Sequence, residues 1–171
     1  MTDLQAFRAE KDRFFVSHPH SPLTPEQRQS FHGLEYFPEN HALRLEVEVE
    51  EFPDQTEIEM QTSTGDVQSY RRYGRIRFQV DGQPAELTLY ANQHGYFLPF
   101  VDALAGVETY PAGRYLEPEP LPGGRFLVDF NLAYNPYCAY NDYWSCPLTP
   151  LENRLKVAIR AGEKMYHGED D

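Results

Sequence analysis

Hydrophobic and polar residues alternate with the period of a half-buried strand through most of the middle of the chain. Leu43, Leu45, Val47 and Val49 alternate with Arg44, Glu46, Glu48 and Glu50, which predicts a strand with an acidic outer face. Ile58, Met60 and Thr62 alternate with Glu57, Glu59 and Gln61, and Thr64-Gly65-Asp66 reads as a turn into a strand over 67–73. Ile76, Phe78 and Val80 alternate with Arg75, Arg77 and Gln79. The Asp81-Gly82 hairpin signal then leads into 86–91, where Leu87, Leu89 and Ala91 point inward. Short strands are also expected over 96–100, over 109–116 (with Gly113 marking a bulge or close approach) and through Phe126, Val128 and Phe130. Residues 118–124 read as a loop. Seven or eight short strands without βαβ alternation predict a mainly β fold, an antiparallel β-sandwich or barrel.

Helical signals stand at the two ends. Thr2 caps a helix over 2–16 with Gln5 at its third position, and Leu4, Phe7, Phe14 and Phe15 share one face. The proline-rich stretch 18–27 is a turn region, and Thr24-Pro25-Glu26-Gln27 starts a short second helix. The aromatic connection 31–38 is expected to close over the core. Thr149-Pro150-Leu151-Glu152 reads as a capping box and predicts a C-terminal helix over 149–166 packed on the β body. Leu151, Leu155, Ala158, Ile159, Gly162 and Met165 form its buried face. The expectation is therefore one domain over 1–171: a helical N-terminal arm (1–30), a β body (41–131), a Tyr/Asn/Cys loop (132–148) and a C-terminal helix (149–166).

Candidate chemistry concentrates in 129–162, which holds both cysteines and the only tryptophan. Tyr134, Tyr137, Tyr140 and Tyr143 recur every third residue, and Asn135, Cys138 and Asn141 recur one position later. A period of three fits a 3₁₀ or polyproline-like path. Such a path would line up rigid phenols beside amides, a surface suited to binding. A structural reading also stands, in which the tyrosines plug the end of a barrel and the asparagines bond irregular backbone. The binding reading takes Arg114, Asn131, Tyr134, Asn135, Tyr140 and Asn141 as the ligand-binding set. Arg114 stands at a glycine-marked strand and would pair with Asp129 or hold an anionic group.

Cys138 and Cys146 lie eight positions apart, which is not zinc-ligand spacing, and no metal site is expected. Two buried thiols, a disulfide across the loop, and a nucleophilic Cys138 are the open readings. The last requires a base such as His94 or His32 and an orienting Asn135 or Asn141. Asp129 is the acid best placed to act as a base or ligand hook. Glu152 is accounted for by capping and Glu163 by the helix surface. Phosphate-binding loops, nucleotide fingerprints, HExxH and GxSxG are absent.

Composition narrows the partners. A net charge of −12 argues against nucleic acid, which needs a basic stripe. No run is long and apolar enough for a membrane, and the N-terminus is not a signal peptide. Two cysteines fit a reducing cytoplasm. Oligomeric state and cofactor are left unset.

The run AYNPYCAY, then CPLTP with a following EN and Leu155, then AGE, resembles an uncharacterised bacterial and archaeal family known only as a domain of unknown function. The likeness continues upstream through KDRFF, SPL, Phe31-His32-Gly33-Leu34, YFP and AGRYLE, so it spans roughly Lys11 to Lys164. It implies one domain with a distinctive site, and no activity, cofactor or catalytic residue. The expected function is binding of a small polar ligand at a Tyr/Asn/Cys-lined pocket. A cysteine-dependent enzyme (Cys138 nucleophile, with Asp129) and a non-catalytic interaction protein are the alternatives.

Overall fold

The computed structural model describes residues 1–167. Helices α1 (Asp3–Ser17) and α2 (Pro25–Ser30) come first, each opened by a complete capping box, Thr2 with Gln5 and Thr24 with Gln27. The strands are β1 (Arg44–Glu48), β2 (Glu50–Glu51), β3 (Glu57–Gln61), β4 (Val67–Val80), β5 (Gln83–Asn92), β6 (Gly95–Phe100), β7 (Arg114–Leu116), β8 (Glu119–Leu121) and β9 (Arg125–Asp129). All pair antiparallel, in a three-stranded sheet β1-β9-β8 and a six-stranded sheet β2-β4-β5-β6-β7, with β3 also on β4. The fold is thus mainly β with an N-terminal helix, in two open sheets rather than a closed barrel.

The hairpin at Asp81-Gly82 forms as its residues dictate, with φ of 50° and 81°, the left-handed pair of a type I′ turn. β4 joins the strands read separately over 67–73 and 75–80, with an irregularity of register between Arg72 and Gly74. The loop expected over 118–124 contains β8.

Two hydrophobic layers explain the burial. Ile76, Phe78, Leu87, Leu89, Leu98 and Phe100 of the large sheet meet Phe126, Val128 and Phe130 in the main core. The other face carries Met60, Tyr70, Tyr90, Phe97 and Tyr115, covered by Tyr134, Tyr137, Trp144 and Cys146. β5 is therefore buried on both faces along 87–91: Leu87, Leu89 and Ala91 point inward, and Thr88 and Tyr90 are buried beneath the second layer.

The helix predicted over 149–166 does not form. Only Leu151–Asn153 closes, as a 3₁₀ turn without a side-chain cap, and the chain beyond it runs as an extended strap. Its backbone groups find distant partners instead of one another. Leu155 N–H donates to Val101 O at 2.7 Å, Ile159 N–H to Asp102 Oδ2 at 2.8 Å, and Glu163 N–H to Ala133 O at 3.0 Å. The two capping side chains are engaged elsewhere. Thr149 Oγ1 donates to Ala112 O at 3.3 Å, and Glu152 accepts from Arg72 at 2.8 Å and from Tyr90. Burial follows a period of two, Asn153, Val157, Ile159, Ala161 and Glu163, so the inward residues alternate as in a strand. Gly162 adopts φ +78°, and a Cβ there would stand 2.7 Å from the carbonyls of Phe130 and Ala133.

Candidate functional site

Residues 130–148 leave the main core at β9 and fold across the second face of the large sheet. The period of three becomes a single 3₁₀ turn, Tyr137–Ala139. The phenols do not form one ladder: Tyr140 is buried against Phe15 and Leu23, whereas Tyr143 is exposed.

Most polar residues singled out in the sequence hold this segment in place. Asn131 is buried and clasps Asn40, accepting its N–H at 2.8 Å and donating to its carbonyl at 2.9 Å. Asp129 accepts from the backbone and side chain of Asn131, both at 3.0 Å, with Arg44 at 3.8 Å. Asn135 Nδ2 donates to Lys164 O at 2.9 Å. Asn141 Nδ2 reaches Pro22 O at 2.5 Å and Gln27 Oε1 at 3.0 Å. Arg114, 1% exposed, does not pair with Asp129. It donates to the carbonyls of Ile159 (2.9 Å), Ala161 (2.5 Å) and Glu163 (3.0 Å), with Asp102 Oδ2 at 3.7 Å. Burial pulls its guanidinium down to about 10, against the carboxylates of Asp102 and Glu163. Gly113 permits this placement, because a Cβ there would sit 2.6 Å from Phe100 O.

Tyr134 alone of that set lines the cavity beside the segment. This is an open groove of about 730 Å³ between α1 and residues 134–146. Phe7 and Phe14 of α1 form one wall, and Tyr134, Tyr137 and Trp144 the other. Tyr115, Pro136 and Cys146 complete the apolar lining, and Glu10, Lys11 and Ser145 supply polar atoms. Burial raises the phenols of Tyr115, Tyr134 and Tyr137 above their ordinary range, so at neutral pH they remain hydrogen-bond donors. Tyr134 OH donates to Glu117.

Glu163, expected on the surface of a C-terminal helix, is instead buried beside the groove with Lys11 as its partner. Glu163 is 2% exposed. Its carboxylate receives the ammonium of Lys11, the N–H of Asn135 at 3.0 Å and the hydroxyl of Tyr140 at 3.3 Å. Lys11 Nζ also lies 5.0 Å from the centre of the Tyr134 ring. One buried carboxylate therefore joins both walls. A signal was present, since KDRFF and AGE both belong to the motif run and Glu163 lies on the inward parity of the strap.

The two thiols are free and adjacent in space. Cys138 N–H donates to Cys146 Sγ at 3.3 Å, and Tyr110 OH lies 3.8 Å from Cys138 Sγ. Cys146 N–H donates to Ser63 Oγ at 3.1 Å. The neighbouring Cys146 thiol, helped by Tyr110 and Ser63, draws Cys138 down to about 6 against the cost of its burial. The same pairing and burial push Cys146 up. His94 and His32 are exposed and are not among the groups that act on Cys138. Among the described residues no three His, Cys, Asp or Glu side chains cluster as metal ligands would. No helix among them is long and apolar enough to cross a membrane.

Residues 29–164 match the family described as "Protein of unknown function (DUF1684)", and the chain belongs to that family. The fold is also that of a solved relative, the solution NMR structure of an uncharacterised protein from gene locus rrnAC0354 of Haloarcula marismortui. It is 40% identical with a TM-score of 0.71, over 94% of this chain and 91% of that one. No curated protein matches the chain.

Proposed function

We infer that the protein binds a small molecule in the groove between α1 and residues 134–146, one with a flat apolar body and a single polar end. The observation that carries this is the convergence of aromatic rings from three separate chain segments on one concave surface, with Phe7 left 47% exposed. Single exposed apolar residues are ordinary, whereas a contiguous concave apolar surface marks a binding site. Polar recognition falls to Lys11, whose ammonium has three donors and gives one to Glu163. The ligand is less polar than the sequence suggests, because Arg114 and the side-chain amide nitrogens of Asn131, Asn135 and Asn141 donate to the protein itself. A net charge of −12 disfavours nucleic acid, and the sparse cysteines favour a reducing cytoplasm.

Anilinonaphthalene sulfonate, an aromatic body with one anionic end, is a suitable probe. The single tryptophan stands in the groove wall and reports occupancy directly. Saturable binding with quenching of Trp144 is expected, weakened roughly tenfold by Phe7→Glu. That substitution spares the fold because Phe7 is half-exposed. Binding unchanged by Phe7→Glu, with Trp144 emission unmoved, places the ligand elsewhere.

A further inference from the structure

We propose that Cys138 and Cys146 form a reversible dithiol–disulfide couple, with Cys138 the attacking thiolate, Cys146 the resolving thiol and a low-molecular-weight disulfide the oxidant. This holds whether or not the groove binds a ligand.

The geometry assigns the two roles. Cys138 sits on the 3₁₀ turn Tyr137–Ala139, half-buried and reachable from solvent. Cys146 is buried at 7% exposure. Its segment is pinned to the turn after β3: Cys146 N–H donates to Ser63 Oγ at 3.1 Å, Ser63 N–H to Cys146 O at 2.9 Å, and Thr64 Oγ1 to Ser145 Oγ at 2.7 Å. Cys138 is therefore the more exposed thiol and the one a disulfide in bulk solvent reaches, whereas Cys146 shows only a 7% exposed edge to the groove. The backbone nitrogen of Cys138 already lies 3.3 Å from Cys146 Sγ, so rotation about the Cys138 Cα–Cβ bond carries its sulfur toward its partner. Tyr110 OH, 3.8 Å from Cys138 Sγ, is a donor for the thiolate. Reactive thiols are partly exposed, as Cys138 is, and structural ones are buried and inert.

The exchange balances. Cys138 thiolate attacks one sulfur of the small disulfide RSSR, breaks its S–S bond and expels one thiolate RS⁻. Cys146 gives its proton to that thiolate and attacks the Cys138 sulfur of the mixed disulfide, expelling a second RS⁻, which takes a proton from solvent. The protein loses two electrons, and RSSR is reduced to two RSH. The new bond ties the turn that carries Tyr137 to the segment that carries Trp144, two rings of the groove wall. In a reducing compartment the pair rests as thiols and records an oxidising excursion.

The test treats the full chain with oxidised glutathione at neutral pH, then takes intact masses under non-reducing conditions and counts thiols. The native protein is expected to lose both thiols and two hydrogens, without a lasting glutathione adduct. Cys146→Ser is expected to stop at a glutathione adduct on Cys138, and Cys138→Ser to react at least roughly tenfold more slowly than Cys146→Ser. A second pair of variants, Cys138→Ala and Cys146→Ala, repeats the comparison should a serine hydroxyl disturb the fold. Native protein that stays fully reduced, keeps a stable adduct or links into dimers overturns the couple. Equal rates for the two single variants overturn the assignment of roles.

Discussion

Lys11 of α1 and Glu163 of the C-terminal strap, 152 positions apart in sequence, form an ion pair whose carboxylate is almost fully buried. The same carboxylate holds the backbone of Asn135 and the hydroxyl of Tyr140. Helix, strap and aromatic segment thus meet at one side chain beside the groove. Removing one partner of a buried pair strands the other's charge, a loss usually of about 3–5 kcal/mol. Lys11 keeps 19% of its side chain in water, so the lower end of that range applies to Glu163→Gln. Urea unfolding is expected to show a loss of about 3 kcal/mol. In a cycle with Lys11→Met, the pair should couple by about 1–3 kcal/mol, and additive losses would show that the contact contributes nothing.

Arg114 is expected to act as the strap's clamp. Arg114→Leu strands the buried carbonyls of Ile159, Ala161 and Glu163 and removes the positive charge facing Asp102, which keeps its bonds from Thr109 and Ile159. A destabilisation of about 3–5 kcal/mol is expected. Hydrogen exchange should locate it: the amides of Leu155, Ile159 and Glu163 lose protection before those of β4 and β5. Uniform loss across the chain would mean that the strap does not open separately.

Asn153 and Thr149 separate the strap from the predicted helix. Asn153 is fully buried, donates to Thr88 O at 2.9 Å and Pro99 O at 2.8 Å, and accepts from Thr88 N at 2.8 Å. Asn153→Ala should cost about 2–4 kcal/mol. Thr149→Ala loses one long bond and should cost under about 1 kcal/mol, where a true helix cap would cost about as much as 2. Thermal melts that reverse this order restore the helix.

The alkylation rate of Cys138 with iodoacetamide carries a pH signature. Its thiolate forms with a midpoint of about 6. The rate should be flat from about pH 7 upward and fall about tenfold per pH unit below the midpoint. An ordinary thiol would still be gaining reactivity between about pH 7 and 9. Tyr110→Phe removes a donor to the thiolate and should move the midpoint upward. A midpoint in the ordinary thiol range would show that Cys146 and Tyr110 do not act on Cys138.

Much of the candidate site was legible as a location but not as a set of roles. The period of three around Tyr137 announced an irregular path, and a 3₁₀ turn stands there. Which rings face a cavity depends on what lies opposite. Tyr137 and Trp144 meet Phe7 and Phe14 of a helix more than a hundred positions earlier, while Tyr140, at the same spacing, is buried against Phe15. Asn135 and Asn141, six positions apart and in phase, bond to Lys164 and Pro22 at opposite ends of the chain.

Local periodicity determined most of the strands, though not β8, and the turn at Asp81-Gly82 and the first helix with its Thr2 and Gln5 cap, because the patterns and contacts that mark them lie within a few residues. The strap carried two conflicting local signals, a capping box at Thr149 and an apolar alternation through Leu155, Val157, Ile159 and Ala161. Tertiary structure chose between them. A helix would satisfy these backbone groups locally, but Arg114, Asp102, Val101 and Ala133 offer buried partners from distant strands and loops. Extended backbone alone presents its carbonyls and amides to them. Glu163 owes its place to that choice, and with it the groove and the elements that meet there.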